Sequence, residues 1–287
     1  DIQKVWFCTG GGANGKSTFM ETVAQLWGED YAIKMNATVL LTKTNQTDNS
    51  VSTDLARLEH KRFCTSTEIP ADYRINEALV KDLTSGERIV ARKMYKDTFS
   101  FKPTHKLWLA GNHLPSISGT DDGIWRRMLI IPFNFRIPTQ RRRTVEEIID
   151  EFRIESESIF LWLLKGLEKF LKSSKQLKVP KACVEATQMY KNANNTLKLF
   201  LEDTLRIDFS QATVHISAYE LYHRYKTWCQ VNGYNLQGAN PSKFSKNLAA
   251  LEDLANLPGL LGLEFDSDPT SAGDGTRYGV LKFCKFK

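Results

Sequence analysis

The amino-acid sequence predicts an α/β protein, with a parallel sheet covered by helices in its first half and a helical segment and smaller domain after it. In residues 1 to about 135, short apolar runs alternate with helical patterns, which is typical of parallel strands joined by helices. Beyond them come long helical patterns, and then two helices followed by two strand-like runs. At 287 residues the chain is long enough for two domains, each with its own core.

Four apolar runs are the predicted strands of the sheet, because each is short, continuous and bounded by polar residues. Two helices are predicted in the same half, and Asn76 can cap the start of the second, whose end is followed by Gly86. The predicted strands are residues 5–8, 63–65, 107–110 and 128–132, and the predicted helices are residues 17–26 and 76–83.

The second half is predicted to be helical and then to form a winged helix. A helical stretch over residues 144–171 is broken near residues 153–158, and the helix after the Ser/Lys-rich residues 172–180 ends near Asn194. A helix, a turn, a second helix and a hairpin follow, which is the order of elements in a winged-helix domain. They are residues 217–231, 242–251, 261–265 and 278–283, with a Gly/Asp/Ser-rich loop at 266–275. We place the domains at 1–171, 172–195 and 196–287, the middle segment being a connector.

Composition narrows the class of protein. The hydrophobic share of 41% and charged share of 25% are those of a globular protein rather than a disordered one. No apolar run approaches the ~18 residues of a membrane span, and no signal peptide is present, so we expect a cytoplasmic protein with no membrane partner. The net charge of +6 weakly favours a polyanion partner such as nucleic acid. Because the chain starts at Asp1 rather than Met, we expect a piece of a longer protein with an upstream domain.

The strongest motif is GGGANGKST, which follows a predicted strand and opens a predicted helix. Its spacing, GxxxxGK[ST], lets backbone N–H groups surround phosphates at a helix N-terminus. We expect Lys16 to reach the β- and γ-phosphates of ATP and the Ser17 hydroxyl to hold Mg²⁺. The predicted cofactors are therefore ATP and Mg²⁺, and the predicted binding residues are Gly10, Gly11, Gly12, Ala13, Asn14, Gly15, Lys16, Ser17 and Thr18.

Two further predicted strands end in polar residues suited to hydrolysis. Glu68 stands at the end of one, where an acid helps to hold Mg²⁺ or polarises the attacking water. Thr67 precedes it where many P-loop enzymes have aspartate. Asn112 ends the other strand and could hydrogen-bond the γ-phosphate or the lytic water. The structural alternatives are an exposed loop glutamate and a turn asparagine before Pro115.

Arg126 and Arg127 lie between a turn marked by glycine and a predicted strand. An arginine near a subunit boundary can act as a finger on the ATP of the next protomer, because its guanidinium matches the charge that develops on phosphate. We expect Arg127 in this role, with Arg126 as the second candidate. The alternative is a surface pair that is salt-bridged to Asp121 and Asp122.

In order and spacing, these motifs resemble the superfamily-three helicases, specifically the C-terminal helicase region of phage and plasmid primases, related to the poxvirus primase-helicase. The similarity is strong over about residues 1–135, and two later segments, VPKACVEATQMY and SAYELYHRYKTWCQVNGY, extend it. Ala13 stands where a glycine is common in this family. The motifs are GGGANGKST, STE, NEALVKDLTSGERIVARKMYKD, KLWLAGNHLP and GTDDGIWRRMLIIPF.

The resemblance implies an AAA+-type ATPase that works as a ring, usually a hexamer, on single-stranded DNA in viral or plasmid replication. It also implies that the hairpin of GERIVARKMYKDTFSFKP projects into the channel of the ring, with cations for phosphates and an aromatic ring for bases. We expect strands at residues 88–93 and 98–101 around a turn at 95–97, the alternative being a solvated hairpin. The predicted DNA-binding residues are Arg92, Lys93, Tyr95 and Lys96.

Further basic residues could also contact DNA, and the sequence is compatible with more than one function. Lys243 and Lys246 could face DNA from the second helix of the tail, and residues 141–143 form a run of three arginines that we interpret as a solvated loop. The leading hypothesis is an ATP-dependent DNA helicase, joined upstream to a primase or polymerase domain. The alternatives are an ATP-switched origin-binding or DNA-remodelling module without processive unwinding, and a P-loop kinase of small metabolites.

Overall fold

Five parallel strands form the central sheet of the first of two units, Asp1–Tyr190 and Lys191–Lys287, in the computed structural model. The structure describes residues 2–42, 51–67, 69, 73–117, 122–207, 215–234, 236, 240–249, 264–271, 277–282 and 284–286. The elements that begin in the first unit are β1 (Val5–Thr9), α1 (Lys16–Tyr31), β2 (Ala32–Lys34), β3 (Leu41–Thr42), α2 (Val51–Ala56), β4 (Phe63–Thr67), β5 (Arg74–Ile75), α3 (Glu77–Ser85), β6 (Ile89–Arg92), β7 (Thr98–Phe101), β8 (Lys106–Gly111), α4 (Asp122–Trp125), β9 (Met128–Pro132), α5 (Val145–Ile154), α6 (Ser156–Lys172) and α7 (Lys181–Asn194).

The strand order in this sheet is β2-β4-β8-β1-β9. The predicted α/β class with a parallel sheet is confirmed, and all four predicted strands belong to the sheet. The edge strand β2 was not predicted, since its three residues are only half-buried or exposed and carry no apolar run.

The strands of the sheet alternate between two covered faces, which is why their sequences are continuously apolar. Phe7 and Ile130 face the main core, where both are almost completely buried. Trp6 and Trp108 face the other side and stack with their ring centroids 5.3 Å apart. Covered on both faces, the sheet is a rigid support for the residues that follow its strands.

Local capping sets the helix ends that the sequence predicts. The Asn76 Oδ1 accepts a hydrogen bond from the Leu79 backbone N–H at the start of α3, and Gly86 ends that helix with φ of 81°. Thr144 and Glu147 form a capping box at the start of α5. The predicted break in the long helical stretch is confirmed, because α5 ends at Ile154 and α6 begins at Ser156.

The second unit contains helices and antiparallel strands around its own core, in which Phe200, Tyr225 and Phe244 are fully buried. Strands β11, β13 and β12 pair in that order, and β10 pairs with β14. The elements are α8 (Thr196–Thr204), β10 (Leu205–Ile207), β11 (His215–Ser217), α9 (Ala218–Val231), α10 (Pro241–Ala249), β12 (Glu264–Ser271), β13 (Arg277–Lys282) and β14 (Cys284–Phe286).

The predicted loop at residues 266–275 is wrong in its first part. Strand β12 continues to Ser271, because Thr270 pairs with Tyr278 and Ser271 pairs with Arg277. Pro269 lies within a shift of register between Asp266 and Thr270, where the ladder needs no N–H donor. Pairing with β13 therefore outweighs the turn-forming character of these residues.

None of the helices in the described part of the chain has the length and apolar character of a membrane span.

Candidate functional site

The GGGANGKST segment forms the connection from β1 to α1, at the edge of the sheet where the parallel strands end. Gly12 and Gly15 have φ of 88° and 85°, a left-handed conformation that glycine adopts without strain. A Cβ at Gly10 would lie 2.5 Å from the Phe133 carbonyl oxygen, so only glycine fits there. Ala13 also has positive φ, 49°.

Lys16 is the first residue of α1, and its side chain binds oxygens from separate parts of the chain. Its Nζ donates to the Gly10 carbonyl oxygen at 2.8 Å, to the Asn14 Oδ1 at 2.9 Å and to the Asn112 Oδ1 at 3.4 Å. The residue is buried, and burial lowers the pKa of its ammonium group. All three acceptors are neutral, so an approaching phosphate would offer this cation the opposite charge that they lack.

The N-terminus of α1 is open to an anion. Gly15 occupies the N-cap position and provides no side-chain cap, and the first turn holds no acidic residue. The first-turn N–H groups and the exposed hydroxyl of Ser17 are therefore suited to phosphate and to the Mg²⁺ that accompanies it.

Strand order brings the end of β8 beside the P-loop. Because β8 lies between β1 and β4, Gly111 pairs with Thr9 on one side and Ala110 pairs with Thr67 on the other. Asn112 follows β8 directly, and this explains how it reaches Lys16 across 96 residues of sequence. Glu68 follows β4 directly but lies outside the described residues.

The two arginines after α4 have different surroundings. Arg127 is 6% exposed, and its guanidinium donates to the Thr84 Oγ1 at 3.0 Å and to the Gly123 carbonyl oxygen at 2.6 Å. Arg126 is exposed, and its carbonyl oxygen accepts a hydrogen bond from Lys4. The structure therefore holds Arg127 inside its own unit and presents Arg126 to solvent. Asp121, half of the predicted acidic pair, lies outside the described residues.

The basic hairpin is present as β6 and β7, which pair with each other in a separate two-stranded sheet. The first strand is shorter than predicted, and residues 93–97 connect the two. Tyr95 is 94% exposed at the tip, and Arg92 donates to the Lys96 carbonyl oxygen at 3.0 Å. The Lys93 Nζ forms an ion pair with the Glu59 Oε2 at 3.0 Å, so this cation is already partly neutralised.

A segment that sequence reasoning missed runs beside the P-loop. We call residues 133–137, which follow β9, the strap. The Phe133 N–H donates to the Thr9 carbonyl oxygen at 2.8 Å and its carbonyl oxygen accepts from the Asn14 Nδ2 at 2.9 Å. The Ile137 N–H donates to the Ala13 carbonyl oxygen at 2.8 Å. No motif marks the strap, because its position depends on strand order rather than on residue type.

The remaining basic candidates are exposed. Lys243 and Lys246 lie on α10, whose Phe244 and Leu248 are buried in the core of the second unit. In the run at residues 141–143, the Arg143 guanidinium pairs with Glu151 at 2.5 Å, as in a solvated surface segment.

Comparison with known proteins finds two matching families. The sequence model of a family of unknown function, DUF5906, matches residues 8–127, and the model described as Poxvirus D5 protein-like matches residues 192–257. The first matched segment contains the GGGANGKST loop and the polar residues that follow β4 and β8, and the second matched segment lies in the second unit.

Related viral proteins are much longer than this chain. A putative helicase of Acanthamoeba polyphaga mimivirus is 30% identical over 246 residues, which cover 80% of this chain and 25% of that protein. A putative primase of African swine fever virus is 25% identical over 236 residues, which cover 78% of this chain and 24% of that protein. The chain thus spans about a quarter of the length of these relatives. The alignment with the apo structure of the NrS-1 C terminal region covers 98% of this chain and 67% of the NrS-1 chain, at 14% sequence identity and a TM-score of 0.49. The resemblance predicted from the motifs is confirmed by the family and sequence matches.

Proposed function

Because this chain is related to viral proteins that are named as helicases and primases, we propose that it is the ATP-hydrolysing motor of a viral or plasmid DNA helicase. One observation carries the proposal: Lys16 and Asn112, from the P-loop and from the end of the neighbouring strand, meet at 3.4 Å. A phosphate bound by Lys16 would therefore contact a second polar group that can respond to its presence.

In the proposed reaction, the backbone N–H groups of residues 10–15 and the Lys16 ammonium hold the phosphates of ATP. Mg²⁺, held by Ser17 and assisted by Glu68, would neutralise the charge that develops on the phosphates. Glu68, at the end of β4, orients and polarises the attacking water, while Asn112 hydrogen-bonds the γ-phosphate or that water. The strand order supports this assignment, since β4 and β8 end on the same side of β1.

We propose that the active form is a ring, in the manner of AAA+-type motors, and that each subunit completes the site of its neighbour. Arg126 is the better candidate for the finger, because its guanidinium is exposed while that of Arg127 is bound within its own unit. A hexamer is the size that the family resemblance favours.

The hairpin formed by β6 and β7 is the proposed grip on single-stranded DNA. Arg92, Lys93 and Lys96 offer cations to phosphates, and the exposed Tyr95 offers a ring for stacking on a base. The second unit is the proposed winged helix, because α9, α10 and the β12–β13 pair occur in that order. The full-length protein would act in the host cytoplasm and would carry a primase or polymerase domain upstream.

The competing function is an ATP-switched DNA-binding module, in which nucleotide controls assembly without processive unwinding. A small-metabolite kinase is less favoured, because it would have no use for an exposed basic hairpin.

ATP hydrolysis measured with and without single-stranded DNA separates these functions, with electron microscopy of the same samples for rings. A motor should hydrolyse ATP faster with DNA and should form rings with an ATP analogue. Hydrolysis that DNA leaves unchanged would favour the switch, and phosphate transfer to a small metabolite would favour the kinase.

A further inference from the structure

Strand order determines which way a nucleotide points in the site. In the proposed site Asn112, which follows β8 and accepts a hydrogen bond from Lys16, binds the γ-phosphate, so the γ-phosphate would face the β8 side of β1. β9 lies on the opposite side of β1. The nucleoside end of the molecule therefore points toward β9 and the strap that follows it.

The strap is held firmly in that position. Its two ends are bonded to the P-loop through Phe133 and Ile137, and the Phe133 ring packs against Phe19 of α1 with centroids 6.2 Å apart. Between these anchors, Phe135 is 69% exposed and Arg136 is also exposed. A single exposed aromatic side chain is common on protein surfaces, but this one is fixed two residues from each anchor and beside a phosphate-binding loop.

We propose that the strap is the wall of the site for the base, and that Phe135 stacks on the base of the bound nucleotide. This inference rests on the proposed nucleotide site at the P-loop. An aromatic ring stacks on any base, because every base has a π face, and the strap would therefore discriminate little between ATP and GTP. Phe135 would strengthen the binding of nucleotides relative to phosphates that carry no base, and this preference is the only specificity that it would provide.

The test compares a ligand that has a base with one that does not. Binding of a non-hydrolysable ATP analogue and of inorganic tripolyphosphate, each with Mg²⁺, is measured by calorimetry for four proteins: the wild type, Phe135→Ala, Phe135→Trp and Phe160→Ala. Phe160 is a matched control, a phenylalanine that is 45% exposed on α6.

Phe135→Ala should bind the ATP analogue about tenfold more weakly, the loss expected for one stacking contact, and should bind tripolyphosphate as the wild type does. Phe135→Trp and Phe160→Ala should bind both ligands like the wild type. Unchanged binding of the ATP analogue by Phe135→Ala, or an equal loss for both ligands, would overturn the role of Phe135 and leave the P-loop site standing. A wild type that binds neither ligand would overturn the P-loop site itself.

Discussion

Lys16 shows how much of the site depends on one side chain. Its ammonium donates hydrogen bonds to the Gly10 carbonyl, Asn14 and Asn112, which are all neutral. Because burial disfavours the charged ammonium, an anionic ligand would stabilise it more than these neutral partners do. Loss of the ammonium should remove both the phosphate contact and the link to the end of β8. A substitution of Lys16 should thus impair both nucleotide binding and hydrolysis. A substitution of a residue that acts only on the attacking water should impair hydrolysis and leave nucleotide binding unchanged.

Lys16→Ala should therefore lose nucleotide affinity and turnover together, whereas Glu68→Gln should bind nucleotide normally and lose turnover by about 100-fold or more. The amide keeps the shape of the carboxylate and removes its basicity. Calorimetry measures the nucleotide affinity of both variants, and steady-state assays measure their rates of hydrolysis. Lys169→Ala, on the exposed surface of α6, is the control. Hydrolysis in Glu68→Gln near the wild-type rate would remove Glu68 from the mechanism.

The arginine pair should divide into a stability role and a catalytic role. Arg127→Ala leaves Thr84 and Gly123 without their charged donor and should lower the free energy of unfolding by about 2 kcal/mol. Arg126→Ala removes an exposed side chain and should change it by less than about 0.5 kcal/mol, while hydrolysis falls sharply. Chemical denaturation and ATPase rates measure the two effects.

Mixing tests whether Arg126 acts across a subunit boundary. Arg126→Ala and Lys16→Ala subunits, each inactive alone, should recover some hydrolysis when combined, because a mixed interface can join an intact loop to an intact finger. No recovery at any ratio, in subunits shown to exchange, would contradict a role in the neighbouring site.

Motif residues and their surroundings differ in what the sequence could predict. The positions of the Lys16 loop and of Asn112 at the ends of neighbouring strands were predictable, because each follows an apolar run in the sequence. The contrast between Arg126 and Arg127 was not, because it depends on how α3 and α4 pack around one of two adjacent guanidinium groups. The strap was not predictable either, since only the strand order places it beside the P-loop.

Among the elements, the hairpin of β6 and β7 has the clearest proposed role and an unexpected contact with Glu59, which lies between α2 and β4. The Lys93 Nζ is paired with Glu59 at 3.0 Å and lies over the Phe99 ring at 4.9 Å, so DNA bound as proposed would have to compete with a carboxylate for this cation. Both side chains are partly exposed, which makes the ion pair weak and exchangeable.

Lys93→Ala/Lys96→Ala should bind single-stranded DNA more weakly and lower the salt slope by about 0.7 per lost contact, while basal hydrolysis persists. Fluorescence anisotropy over a salt series measures both. Lys165→Ala/Lys169→Ala on α6 removes the same charge from another surface and serves as the control. An unchanged slope would mean that DNA is gripped elsewhere, with Lys243 and Lys246 as the next candidates.

Glu59→Gln should have the opposite effect, raising DNA affinity about two- to fivefold by releasing Lys93. The gain should vanish when Lys93→Ala is also present. A gain that persists in the double variant would show that Glu59 acts by general charge repulsion rather than through Lys93.

Local patterns predicted the elements well wherever local forces dominate. The strands β1, β4, β8 and β9 were identified from their apolar runs, and α3 from its cap. The prediction failed in β12, where cross-strand pairing extends a strand through residues that favour a turn, and at β2, which is too short to leave a pattern. The residue types of a strand do not by themselves show how far its pairing with a neighbouring strand continues.

At the scale of the whole molecule, a buried histidine should make the first unit sensitive to acid. His105 is 4% exposed, and neither of its ring nitrogens has a hydrogen-bond partner among the residues that the structure describes. Burial, and then the nearby Lys106, lower its pKa to about 4. The unfolded chain takes up a proton near pH 6.5 while the folded protein stays neutral, so stability is complete above about pH 6.5 and is lost as the pH falls toward 4.

The free energy of unfolding should thus fall by about 2 kcal/mol from this residue between about pH 7.5 and about pH 5. His105→Leu should remove that part of the pH dependence, whereas His113→Ala, which replaces an exposed histidine, should retain it. Denaturant titrations at the two pH values decide this. Equal pH dependence in His105→Leu and the wild type would show that other groups control acid sensitivity.

Strand displacement from a forked DNA duplex tests the proposed motor most directly, since it requires the P-loop, the neighbouring subunit and the hairpin to work together. The wild type with ATP and Mg²⁺ should release the displaced strand. A non-hydrolysable ATP analogue, Lys16→Ala and Lys93→Ala/Lys96→Ala should each abolish release. Hydrolysis that is stimulated by DNA but never displaces a strand from any fork, in protein shown to form rings, would contradict a helicase and favour the ATP-switched module.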